Sequence, residues 1–171
     1  VGMKKILWSC LLSIGIFLGV VGLQAWRFES SQLRPAAVEV DVDPETGHVT
    51  IQNFVLAHDC GSVMHPQIVD GQIVGAAAHG IGDALYEWMD FDNYGQPQTT
   101  NLADYLLITA PEVPRIDVIH HETPTHLNPL GVKGVGECGV FPGPAAIISA
   151  IEDALSPFNV RLTKSPLSPV E

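Results

Sequence analysis

The chain has 171 residues, enough for one domain with its own hydrophobic core. Its 46% apolar and 16% charged residues exclude a disordered acidic tail, and 8 Lys+Arg against 19 Asp+Glu give a net charge of −11 that repels phosphate backbones and argues against nucleic acid as a partner. Three cysteines (Cys10, Cys60 and Cys138) with no CxxC pair exclude a disulfide scaffold and a zinc knuckle.

The first predicted element is an apolar run without a charge over residues 6–25 (ILWSCLLSIGIFLGVVGLQA), preceded by Met3-Lys4-Lys5. A basic start, an apolar stretch and a small residue at Ala25 have the order of a signal peptide. The same run is long enough to span a bilayer as an uncleaved anchor, since a helix rises 1.5 Å per residue. A buried core helix is the third reading, although no polar face interrupts the run. Residues 1–26 are accordingly expected to be a signal peptide or membrane anchor, 27–36 a polar linker, and 37–171 the globular domain.

Val38-Glu39-Val40-Asp41-Val42 alternates strictly and predicts a half-exposed strand. Asp43-Pro44-Glu45-Thr46-Gly47 predicts a turn, and residues 49–57 (VTIQNFVLA) the returning strand of a hairpin. His58-Asp59-Cys60-Gly61 breaks that strand, and Pro66 stands where a helix can begin. The spacing predicts a helix over 67–88, with Ile68, Val69, Ile73, Ala76, Ala77, Ile81, Ala84 and Leu85 at steps of three and four. Glycines at 71, 75, 80 and 82 each cost such a helix about 1 kcal/mol relative to alanine. They make sense where a ligand or another backbone lies against them, close helix packing being the plainer form of that explanation. A third strand is expected over 116–122, a second helix over 145–155 opened by Pro144, and a last short strand over 160–163. The fold class is α+β: a mixed sheet with packed helices, preceded by one hydrophobic N-terminal helix.

Chemistry concentrates in residues 129–139 (PLGVKGVGECG), where four glycines in eleven residues expose backbone N–H groups and allow close approach to a ligand. Glu137 is the only acid there. Desolvation in an apolar, glycine-lined loop would suit it to proton abstraction, whereas Lys133, four residues earlier, would hold it charged. The plain alternative is a glycine-rich surface turn with a solvated Glu. His58, Asp59, Cys60 and His65 lie within eight residues and suggest a metal site only weakly. His120-His121 alternate along a strand, so only one of them can face inward, a structural histidine being the default expectation. Cys138 has only Lys133 nearby to activate a thiol. Asp83, Glu87, Asp90 and Asp92 read as a solvated helix end, and no second acid stands out as a glycosidase partner for Glu137.

The stretch NPLGVKGVGECG followed by PAAIISAIEDAL resembles the C-terminal signature of the molybdenum hydroxylases, which include xanthine dehydrogenase, aldehyde oxidoreductase and the large subunit of aerobic carbon monoxide dehydrogenase. VEVDVDPETGHVTI, HDCGSVMHPQIVDGQIVGAAAHGIGDALYE, DYLL with APEVP, and the closing VRLTKSPLSP resemble the same family in the same order. The resemblance runs from about Val38 to Pro169. It implies that this is part of a second molybdopterin-binding domain. Glu137, in Gly-Val-Gly-Glu, matches the active-site base, and Gln72 matches a glutamine that hydrogen-bonds the pterin. Lys133, Gly134, Val135 and Gly136 would run beside that cofactor, expected as molybdenum-molybdopterin in a dinucleotide form.

The departures carry equal weight. Members of the family have large subunits several times longer, with the cofactor between two molybdenum domains. The expected partners are therefore the first molybdopterin-binding domain or the rest of a large subunit, an iron–sulfur subunit, and a flavin or cytochrome subunit. No iron–sulfur cysteine spacing or dinucleotide fingerprint occurs in this chain. Three functions follow: a C-terminal piece of a hydroxylase acting on aldehydes, N-heterocycles or carbon monoxide; a separate small subunit completing a split enzyme; or an exported or membrane-anchored non-catalytic relic or interaction domain that keeps the fold. A genuine leader implies a membrane, periplasmic or secreted location, and a mis-bounded fragment a cytoplasmic one.

Overall fold

The computed structural model describes residues 35–167. The apolar run 6–25 and the proposed linker up to residue 34 lie outside them. Among the described residues no helix is long and apolar enough to cross a membrane.

Strand β1 (Ala36–Val42) starts at the last position of the expected linker and forms an antiparallel hairpin with β2 (Val49–His58). The turn between them is built by Asp43, whose carboxylate accepts from the Glu45 N–H at 2.9 Å and the Thr46 hydroxyl at 2.7 Å. Strand β3 (Ile116–His120) lies parallel to β2, pairing Phe54 with Ile116 and His58 with His120. The sheet order is β1-β2-β3, mixed as expected, and the α+β class holds. β2 runs one residue further than the alternation suggested, because His58 is still paired to β3.

Two helices cover one face of the sheet. Helix α1 (Pro66–Leu85) begins with Pro66 in its first turn, where the missing N–H costs nothing. It ends three residues earlier than position 88, because the Tyr86 and Glu87 N–H groups both turn back to the Gly82 carbonyl at 2.8 and 2.9 Å. Helix α2 (Pro142–Ala154) packs across β1 and against α1. The core is Val38, Val40, Phe54 and Leu56 from the sheet, Ile73, Ala77, Ile81 and Ala84 from α1, and Ile147 and Ile151 from α2. Buried sheet residues follow a period of two and buried helix residues a period of three to four.

The expected strand over 160–163 does not form. That segment is irregular, and the chain beyond it serves the end of α1 instead: the Leu167 N–H donates to the Ala84 carbonyl at 2.7 Å and the Ser165 hydroxyl to the Asp83 carbonyl at 2.9 Å. Carbonyls of a last helical turn lack partners within the helix, so a polar tail satisfies them more readily than it builds a fourth strand.

The glycines of α1 divide into two groups. A Cβ on Gly80 would lie 2.7 Å from the Gly139 carbonyl oxygen, and one on Gly139 would press into the α1 backbone at Ala76 and Ala77. Gly71 and Gly75 have nothing within 4 Å of a Cβ. Gly139→Ala should therefore cost about 1–3 kcal/mol by overpacking. Gly75→Ala should stabilise the chain by roughly 0.5–1 kcal/mol, since alanine loses less backbone entropy in a helix. Urea unfolding of the two variants beside the parent, with opposite signs of change, checks this.

Candidate functional site

The glycine-rich loop leaves β3 by way of residues 121–130 and returns to the end of β2. There Gly61 and Val132 form an isolated antiparallel bridge, the Lys133 N–H donates to the Cys60 carbonyl at 2.7 Å, and the Ser62 N–H to the Gly131 carbonyl at 3.0 Å. Gly61 has φ +71°, and a Cβ there would overlap the Gly131 carbonyl oxygen, so no other residue suits the crossing.

Beneath this crossing lies Asp59, whose side chain is 4% exposed. Its carboxylate accepts from the Gly61 N–H at 2.8 Å, the Thr123 N–H at 3.1 Å, the Thr123 hydroxyl, and the Lys133 ammonium at 2.8 Å. The Lys133 Nζ also donates to Thr123 Oγ1 at 2.7 Å. Burial alone would raise the Asp59 carboxyl. The hydrogen bonds from Lys133, Thr123 and Gly61 together outweigh it and hold the group well below the usual carboxylate range. Lys133 is thus engaged away from Glu137 and does not hold that carboxylate charged.

Past Lys133 the loop reaches α1. Cys138 is fully buried, its N–H donates to the Val135 carbonyl at 3.3 Å, and Gly139 rests on Ala76 and Ala77. Gly134, Gly136 and Glu137, which lie between these two attachments, are exposed. Among the described residues no protein acceptor takes the N–H groups of Gly134, Gly136 or Glu137. Gln72 is exposed on α1 one helical turn before Ala76, and so stands beside the place where the loop meets the helix. The structure therefore leaves Glu137 in the open rather than enclosed, on a stretch held between the end of β2 at Lys133 and the contact of Gly139 with α1, the helix that also carries Gln72.

The other candidates settle differently. The Cys60 thiol is pushed up by burial and Asp59 is committed to Lys133 and Thr123, so the 58–65 stretch offers no converging set of ligands. Among the described residues the one group of three that could surround a cation is His79, Asp83 and Glu87, on α1 and its end. Glu87 is not simply solvated, because it accepts from the Tyr105 hydroxyl at 2.5 Å, which pushes that phenol up to about 12. His120 meets Asp70 of α1 at 2.7 Å and ties β3 to the helix. A groove lined by His48, Ile51, Tyr86, Glu112 and Pro114 lies at the opposite end of β2 from Asp59. Sequence reasoning weighed Asp59 only as a metal ligand and passed over Thr123. The available signal was Asp59-Cys60-Gly61, the spacing of an Asx turn in which the carboxylate takes the N–H two residues on.

Residues 28–114 match the molybdopterin cofactor-binding domain family, and the chain belongs to that family, within the molybdenum hydroxylases. It is 41% identical over 133 residues to the nicotine 6-hydroxylase large subunit of Paenarthrobacter nicotinovorans, covering 78% of this chain and 16% of that one. It is 35% identical over 127 residues to the carbon monoxide dehydrogenase large chain of Hydrogenophaga pseudoflava, covering 74% and 16%. The fold matches quinoline 2-oxidoreductase from Pseudomonas putida 86 with a TM-score of 0.73 and 40% identity, over 77% of this chain and 17% of that one. The chain thus spans about a sixth of the length of the relatives it matches. The exposed residues of α1 and the loop suit a pterin in kind: they offer a carboxamide at Gln72, unpaired backbone donors, and glycines at 71, 75 and 136 where a Cβ would meet only open space.

The depressed Asp59 carboxyl fixes a sign for the pH dependence. An unfolded aspartate titrates near 3.9, so the stability that the buried pair contributes is complete above about pH 5 and drains away as pH falls below 4. Asp59→Asn should cost about 3 kcal/mol at pH 7, the low end for a broken buried pair, because Lys133 keeps some access to water. Urea unfolding of parent and variant at pH 7, 5 and 3 should show this gap unchanged between pH 7 and 5 and narrower at pH 3.

Proposed function

We propose that this chain forms one wall of the molybdenum–pterin site of a hydroxylase that oxidises an aldehyde, an N-heterocycle or carbon monoxide. The observation that carries the proposal is the exposed, glycine-lined stretch bearing Glu137, anchored through Gly139 on the helix that carries an exposed Gln72. The cofactor, when bound, supplies the redox chemistry and the activation of oxygen. Glu137 accepts a proton through its carboxylate as the active-site base. Gln72 orients the pterin through its carboxamide. Gly134, Val135 and Gly136 offer backbone contacts at close range, and Lys133 contributes through its main chain, since its ammonium is taken by Asp59. The pterin is assigned a dinucleotide form.

The matched stretch makes up about a sixth of those large subunits, so the remainder of the site comes from a first molybdopterin-binding domain, either on the same polypeptide or on a partner chain. An iron–sulfur subunit and a flavin or cytochrome subunit complete electron transfer in this reading. Location follows the origin of residues 6–25. A genuine leader takes the chain to the membrane or beyond it, and a place within a longer subunit keeps it in the cytoplasm. The relic reading is disfavoured by the presence of both Gln72 and Glu137.

The test is the native polypeptide purified with whatever accompanies it, its intact mass and molybdenum content measured first. In the complete enzyme Glu137→Gln should lower turnover about 10²- to 10⁴-fold, the range for loss of a general base, with molybdenum content unchanged. Gln72→Ala should instead reduce cofactor occupancy. Full turnover in Glu137→Gln, or native material of this length with neither molybdenum nor a second chain, would defeat the proposal.

A further inference from the structure

We infer that Asp59, Lys133 and Thr123 are positioning residues that fix where the Glu137 carboxylate stands, an inference that rests on reading Glu137 as the base. Three segments far apart in sequence meet at one buried carboxylate: the end of β2 at Asp59, the exit from β3 at Thr123, and the glycine-rich loop at Lys133. The Lys133 ammonium joins all three, reaching Asp59 Oδ2 at 2.8 Å and Thr123 Oγ1 at 2.7 Å.

Glu137 lies four residues beyond that ammonium-bearing residue and one residue before buried Cys138. Between these anchors the loop carries three exposed residues, Gly134, Gly136 and Glu137, and is braced internally by the Cys138 N–H on the Val135 carbonyl at 3.3 Å. A span this short and glycine-rich takes its course from its ends. One end is held by steric contact of Gly139 with α1, and the other by backbone bonds reinforced by the buried pair. A displacement of about 1 Å at a reacting group can cost on the order of 10²-fold in rate, so slack at the Lys133 end reaches the chemistry without any contact to it.

The experiment uses the complete cofactor-loaded enzyme with Lys133→Met and Lys133→Arg. Hydrogen exchange is followed on peptides covering 131–139, with peptides from β2 and α1 as internal references, beside kcat, KM and molybdenum content. Lys133→Met should speed exchange over 134–138 about tenfold while the references hold, and should lower kcat about 10- to 100-fold with KM within about twofold. Lys133→Arg should restore most of both, since a guanidinium can still reach the carboxylate. Unchanged exchange over 134–138 in Lys133→Met overturns the inference, as does exchange rising equally in the references, which is loss of stability alone. If Lys133→Met does not fold, Thr123→Val, which keeps the ion pair and removes the bridging hydroxyl, should give the same local pattern at about threefold. Its absence there also overturns the inference. The two ideas fail separately. Full turnover in Glu137→Gln sinks the base while the exchange data stand, and an indifferent loop in Lys133→Met sinks the clip while a dead Glu137→Gln leaves the base in place.

Discussion

The Asp59 carboxylate sits almost without water at the point where β2 ends, and four protein hydrogen bonds converge on it. A charge in that position is expensive unless it is fully compensated, and here every donor comes from a segment that has to be brought to it. Gly61 turns the chain away from β2, Thr123 brings in the segment that leaves β3, and Lys133 brings in the glycine-rich loop. Each arrives only because the carboxylate would otherwise be left unpaired. The directionality of these bonds sets the crossing of the loop over β2 more closely than apolar packing would, since a hydrogen bond weakens steeply with angle and a methyl contact does not. The parallel pairing of β3 with β2 depends on the same place, because β3 has to end where Thr123 can reach Asp59.

Glycine serves two opposite purposes around this crossing. At Gly61 and Gly139 a side chain is missing because protein backbone already fills the space. At Gly71, Gly75 and Gly136 a side chain is missing and nothing fills the space. Open glycines in a helix carry an entropic cost with no packing return in this chain. The two classes mark the inside of the domain and a surface shaped for close approach, and they meet along α1 between Gly75 and Gly80.

Much of the fold was legible because its signals are local. The alternation of Val38, Val40 and Val42, the Asp43 to Gly47 turn and the apolar spacing of both helices each report a period that burial enforces, and all four elements form. Residues 160–163 alternate as well, but no strand edge receives them, and the nearby helix end takes the tail instead. Partnership was not legible in the same way. Lys133 stands four residues from Glu137 in sequence and invites a pairing along the loop, yet its ammonium goes to Asp59, 74 positions earlier. No local pattern encodes that choice; it follows from β2 and the loop being neighbours in space. Residues 133–137 do stand out in sequence as glycines around one acid, and Gly134, Gly136 and Glu137 are exposed there, whereas Gln72 is singled out by family resemblance alone.

On the proposed reading, the domain supplies the rigid half of a site. Its polar ends, the Glu137 carboxylate, the Gln72 carboxamide and the loop N–H groups, face outward while their supports are buried: Lys133 on Asp59, Cys138 in the core, Gly139 on α1. Fixed dipoles and a fixed base gain most when water is excluded around them, because interaction energies rise as the local dielectric falls. Nothing within residues 35–167 excludes water there. The investment in orientation, with a buried ion pair and two glycine crossings for one short loop, is therefore out of proportion to anything a solvated surface turn needs. It is in proportion to a surface that the proposed first molybdopterin-binding domain would close, and the helix at Gly71 and Gly75 leaves open space for such an approach.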